Sequence, residues 1–137
     1  MSLFKVFDIA GSAMSAQSVR LNTTASNMAN AGTAAGTADA AYRSRQPVFE
    51  TMMNQLSPNP AEAGVRVAGI VESDAPPARA FQPQHPQADT EGYVYLSNVN
   101  VIDEMTNMIS ASRSYQNSVE MLNTSKELLM RTLSLGQ

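Results

Sequence analysis

The sequence predicts a mainly α fold: long N- and C-terminal helices packed antiparallel as a coiled coil, with a small β-rich, proline-containing excursion between them. Three observations predict it. All seven prolines of the 137-residue chain lie between Pro47 and Pro86. Proline breaks helix interiors, so residues 1–46 and 87–137 are left free to be helical. Both ends carry apolar and small residues at alternating steps of three and four, the spacing of paired helices. The middle holds short β-branched and aromatic runs set between turn residues, as strands do.

In the first segment the stripe is Phe4, Phe7, Gly11, Met14, Ser18, Leu21, Ala25 and Met28. Between Leu3 and Ala31 the only charges are Lys5, Asp8 and Arg20. A solvated helix carries interspersed charge opposite its apolar stripe, so this nearly uncharged back face points to burial on more than one side. The pattern ends around Asn27, Met28 and Asn30. The Ala/Gly/Thr run that follows reads as a flexible exit.

The middle offers three strand candidates: Pro47–Met53, Gly64–Ser73 with Val65, Val67 and Val71 on one face, and Gly92–Leu96. The proline-rich stretch Asp74–Asp89 is excluded as helix or central strand and reads as an extended, polyproline-like connection. The last segment places Val101, Met105, Met108, Ser112, Tyr115, Val119, Leu122, Lys126, Leu129 and Leu133 on its stripe. Asn100 is the expected N-cap, with Asp103 placed as in a capping box. Glu127 and Arg131 are spaced for an i,i+4 pair, and Gly136 ends the pattern. The two helices cover about 29 and 35 residues, or roughly 43 and 52 Å. The expected division is therefore 1–32, 33–98 and 99–137.

Composition narrows the function. Net charge is −3, which argues against a nucleic-acid binder with its basic face. There is no cysteine, so disulfide and thiolate chemistry are excluded. No run approaches the ~20 apolar residues that span a bilayer. Lys5 and Asp8 interrupt the N-terminal apolar run, so no signal-peptide core is expected there. The single histidine, His85, sits between prolines as an exposed loop residue without enough ligands beside it for a metal. No Gly-x-Ser-x-Gly elbow and no phosphate-loop Gly-Lys-Ser/Thr occurs. Asp103 and Glu104 open a helix, where acidic residues favour the positive dipole end. The expectation is no enzyme, no cofactor and no metal.

Two stretches carry a family resemblance. "LNTTASNMANAGT" (Leu21 to Thr33), followed by Tyr42-Arg43, resembles the N-terminal motif of the bacterial flagellar rod and hook axial proteins. Residues 88–137, with "SNVN", "EMTNMI" and "SRSY", resemble their C-terminal motif. Departures occur at Ser97, where the family has Pro-Asn-Val, and at Asn117 and Ser118. The resemblance implies terminal helices joined as an inner-core coiled coil and travel through the flagellar type III export apparatus without signal cleavage. It further implies polymerisation in the periplasm into the hollow drive shaft of the basal body. Partners would be this chain itself, other rod proteins, and adaptor and MS-ring components at the rod base.

On this reading the assembly interface draws on Phe4, Phe7, Met14, Leu21, Asn27, Met28, Asn30, Met105, Met108, Arg113, Tyr115, Val119, Leu122, Leu129 and Leu133. Asn27 and Asn30 are expected to meet neighbouring subunits or to cap exposed backbone. The alternatives are a distal-rod or hook subunit of the same family, a soluble helical adaptor or export chaperone, and a membrane-surface binder using Phe4 and Phe7 beside Lys5. The last lacks the basic face such helices carry.

Overall fold

The computed structural model describes residues 3–53 and 63–135, and of Leu3 and Phe4 the backbone alone. Two long helices, α1 (Leu3–Asn30) and α2 (Val101–Leu135), enclose the strands β1 (Ala34–Ala35), β2 (Arg45–Met52), β3 (Gly64–Glu72), β4 (Ala78–Phe81) and β5 (Tyr93–Leu96). The mainly α build with a β middle is present. Gly136 lies outside the described residues.

The helices pack against each other and run antiparallel. Ser97, just before α2, donates its hydroxyl to Ala31 O at 2.6 Å, at the end of α1. Further along, Arg20 Nη2 donates to Asn107 Oδ1 at 2.9 Å. Continuing that register places Leu3 level with Asn123–Ser125. Lys126–Leu135 therefore projects beyond the start of α1 by roughly 15 Å at ~1.5 Å per residue. Asn100 caps α2 as expected, its Oδ1 accepting from Ile102 N at 3.1 Å.

Burial on α2 corrects the predicted stripe. The inward side recurs at Glu104, Met108, Ala111, Tyr115, Ser118, Leu122, Ser125 and Leu129, all buried or half-buried. Val101, Met105 and Leu133 are exposed instead. The reason is size. The positions most deeply buried against α1 are small or polar, Glu104, Ala111 and Ser125, whereas the larger Met108, Tyr115, Leu122 and Leu129 are half-buried. A pattern drawn through the larger residues falls one position to the side. On α1, Gly11 and Ala25 are likewise exposed, whereas Phe7, Met14, Ser18, Leu21 and Met28 are half-buried.

β2 and β3 pair antiparallel as a two-stranded ribbon, with a bulge between Val48 and Phe49 where β3 carries Ala68 as an extra residue. The ribbon lies along α1 and is tied to it at both ends. Asn27 holds Arg45 at the start of β2. Ser12 Oγ accepts from Val65 N at 3.1 Å near the start of β3. Fifteen helical residues separate Asn27 from Ser12, about 22 Å. Six strand residues separate Arg45 from Thr51, the partner of Val65, about 20 Å. The two lengths match, so helix and ribbon run alongside each other. α1 thus touches α2 on one side and the ribbon on another, and its low charge reflects burial on two sides.

The other sheet has the order β1-β5-β4, all antiparallel, with β5 central and Val94 fully buried. β1 corrects the reading of the Ala/Gly/Thr run as a flexible exit: Ala34 and Ala35 pair with Leu96 and Tyr95. β4 lies inside the proline-rich stretch, as an edge strand rather than a polyproline-like connection. Edge placement agrees with the prolines around it. Ion pairs join Arg45 to Glu72, Arg66 to Glu50, and Arg79 to both Glu91 and Asp89 in the β middle; among the described residues none joins Glu127 and Arg131.

Candidate assembly surface

The polar residues at the end of α1 work inside the chain. Asn27 has no exposed surface. Its Nδ2 donates to Arg45 O at 2.8 Å, and its Oδ1 accepts from Arg45 N at 2.9 Å and from the Tyr42 hydroxyl at 3.0 Å. The carboxamide thus reads both backbone groups of one residue, as a neighbouring strand would. The Arg45 guanidinium lies 5.6 Å from the Tyr42 ring centroid and completes the enclosure. Asn30 closes the helix, Nδ2 donating to Ser26 O at 2.8 Å. Thr33 gives both its N–H and its hydroxyl to Asn30 O.

The same junction reaches α2. Ser44 N donates to Asn98 Oδ1 at 2.7 Å, and Asn98 Nδ2 to Ala75 O at 2.7 Å. Gln46 Nε2 donates to Glu104 Oε1 at 3.0 Å, and Glu104 is buried. Glu104 is therefore a tie between β2 and α2 as well as a first-turn acid. Ser97 gives its N–H to Thr33 O and its hydroxyl to Ala31 O. Proline has neither group to offer. Buried polar networks specify one arrangement when their members are satisfied; here Glu104 Oε1 is satisfied, whereas its Oε2 is buried without a hydrogen-bond partner.

The β4–β5 hairpin is pinned by Asp89, whose Oδ1 accepts from Glu91 N and Tyr93 N. Gly92 has φ +83° there. The Arg79 guanidinium lies 3.8 Å from the centroid of the Tyr93 ring and pairs with Glu91 at 2.7 Å. The hydrogen bond to Glu91 holds Arg79 more firmly protonated than usual. A raised pKa contributes stability that is lost only as pH rises through it, so the middle pH range is unaffected.

Among the described residues no group of three or more His, Asp or Glu converges to hold a metal. His85, expected to be exposed, is instead half-buried, its Nδ1 accepting from Gln87 N at 3.1 Å. Among the described residues no helix is long and apolar enough to cross a membrane.

Of the residues assigned to an assembly interface, Met105, Arg113 and Leu133 are exposed. Phe7, Met14, Leu21, Met28, Asn30, Met108, Tyr115, Val119, Leu122 and Leu129 are half-buried, and Asn27 is buried. The side chain of Phe4 lies outside the described residues. Met121 and Met130, methionines whose flexible side chains suit contact with several neighbours, are also exposed, whereas sequence reasoning passed over exposed Ile102, Ile109, Leu128 and Leu135. A second 3–4 row, Ile102–Met105–Ile109, carried the signal. The ribbon adds exposed Val48, Phe49, Ile70 and Val71. Small residues inside and large apolar residues outside reverse the usual distribution of a self-sufficient fold.

Comparison with known proteins supplies the family. Residues 7–34 match the model of the flagella basal body rod protein family, and residues 90–135 match that of the flagellar basal body rod FlgEFG protein C-terminal family. The chain is 54% identical to the flagellar basal-body rod protein FlgC of Yersinia enterocolitica and 50% identical to that of Escherichia coli O157:H7, over the full length of both chains in each case. It is 40% identical to FlgC of Buchnera aphidicola subsp. Acyrthosiphon pisum, again with both chains fully covered. With two helices that leave their bulkiest apolar side chains uncovered, a polar junction between them and full-length identity at this level, the chain belongs to the FlgC family of flagellar basal-body rod proteins.

Proposed function

We propose that this chain is a structural subunit of the flagellar basal-body rod, polymerising with other rod proteins into the hollow shaft that transmits torque and passes exported subunits. It is not an enzyme. The observation that carries this reading is the outward placement of Ile102, Met105, Ile109, Met121, Leu128, Met130, Leu133 and Leu135 on one 35-residue helix. Burying a side chain of this size is worth ~1.5–3 kcal/mol, a gain that a single chain forgoes and neighbours supply. A helical polymer needs heterologous patches that do not close on themselves, and a long helix exposed along its length offers them.

In this reading residues 1–32 and 99–137 form the inner core as a coiled coil, and residues 33–98 lie outside it. Met105, Arg113 and Leu133 make direct contacts with neighbours. The half-buried members of the interface set, from Phe7 to Leu129, contribute their outer edges. Asn27 acts from within, by holding the ribbon in place. The chain reaches the periplasm through the flagellar type III export apparatus. It meets adaptor and MS-ring components at the rod base.

Deletion of the gene, with complementation, tests the role. The expected result is loss of swimming and of rods, restored by the intact chain, which then co-purifies with basal bodies. Swimming cells with complete rods in the deletion strain overturn the proposal.

A further inference from the structure

Along α1 and beside the ribbon runs a groove. Two open depressions share Val19 and form one continuous channel from Ser12 to Ser26. Its floor is Ala16, Val19 and Thr23, and its far wall is Met52, Val65 and Ile70 of the ribbon. Met52 and Ile70 are exposed. The groove is about 21 Å long at ~1.5 Å per helical residue.

On the other helix, Ile102, Met105 and Ile109 form a row with relative exposures of 74%, 51% and 55%. Arg113 continues it and is exposed. The row lies roughly half a turn around α2 from Glu104 and Ala111, which face inward. It therefore points away from α1 and cannot reach the groove of its own chain. From Ile102 to Arg113 it measures about 16 Å, short enough to lie within the groove.

Charge sets the direction. Asp8 stands one helical turn beyond Ser12, at one end of the groove. Arg113 stands at the C-terminal end of the row. Neither has an ion pair among the described residues. Arg66, at the same end of the groove as Asp8, is already neutralised by Glu50, which accepts from its Nε and Nη2. An antiparallel approach that brings Arg113 to Asp8 lays Ile109 near Ser12 and Met105 near Ala16 and its neighbour Ser15, all of which line the groove.

We propose that the groove between α1 and the β2–β3 ribbon receives the Ile102–Met105–Ile109 row of a second copy of this chain, antiparallel to α1, with Asp8 paired to Arg113 across the contact. This rests on the rod-subunit reading and specifies its lateral contact. The patches are different, and each chain keeps one of each free, so the contact propagates instead of closing a dimer.

The chain has no cysteine, which makes crosslinking selective. Cells co-express two variants, Ser15→Cys and Met105→Cys, and basal bodies are isolated and mildly oxidised. Any disulfide between the two variants joins separate copies. The expected result is a covalent dimer from this pair, about tenfold above the pair Ser15→Cys with Met121→Cys, which lies some 24 Å further along α2. Asp8→Arg or Arg113→Asp alone is expected to lower the yield about tenfold, as like charges oppose contact, and the two together to restore it. Equal yields from both cysteine pairs in intact basal bodies overturn the proposal while leaving the rod assignment standing. So does crosslinking of Ser15→Cys to a different protein. Intact basal bodies that never contain the chain overturn the rod assignment itself.

Discussion

Replacing Asn27 by alanine removes three hydrogen bonds at once and leaves the Arg45 N–H and C=O and the Tyr42 hydroxyl without that partner. Each buried polar group left unpaired costs ~1–3 kcal/mol. The variant should lose about 2–4 kcal/mol of stability in urea denaturation, with the Arg45 amide losing its protection from exchange. The family motif drew attention to Asn27, but its role was not legible in sequence, because the partner sits 18 residues away across β1. Gly92 gives a second residue-scale test. Its φ is +83°, and a Cβ built there meets Phe81 Cε2 at 2.9 Å. Gly92→Ala should cost about 1–3 kcal/mol, seen as faster exchange at Tyr93 with helicity unchanged.

At the scale of elements, α2 separates two kinds of apolar residue. Ala111 is fully buried against α1, whereas Leu133 keeps 68% of its surface. Ala111→Leu should overpack the helix contact and cost about 1–3 kcal/mol, measured by denaturation. Leu133→Ala should change the stability of the isolated chain by less than about 0.5 kcal/mol while lowering rod yield in cells. The existence and extent of both helices were legible, because proline confinement and a 3–4 period are local signals. The inward side of α2 was not, because periodicity reports where large residues recur and the contact uses small ones. β1 and β4 were missed for a related reason. Two- and four-residue strands have no period of their own and exist through pairing with β5.

For the whole molecule, the distribution of apolar surface predicts a concentration-dependent fold. Helix formation in water draws most of its stability from packing of an apolar face, and the large apolar residues of α2 have no cover within one chain. The purified chain at micromolar concentration should keep the α1–α2 contact but show less helix by circular dichroism than 28 and 35 residues, the loss falling in the uncovered end of α2 and recovering on incorporation into rods. Full helicity in a dilute monomer contradicts this. The assembled role was legible in the sequence chiefly through the paired terminal motifs, while the groove beside the ribbon was not, since strands and helix meet there only after folding.

The projection of Lys126–Leu135 past the start of α1 also bears on how load is carried. In the proposed rod, subunits whose two helices end at different heights would overlap like the laps of a spliced rope, and their joints would not fall in a common plane. Twist applied about the long axis then crosses every level through unbroken peptide and its ladder of internal hydrogen bonds. A fracture has to detour around each protruding end, so shear is spread over many subunits instead of being concentrated at one ring.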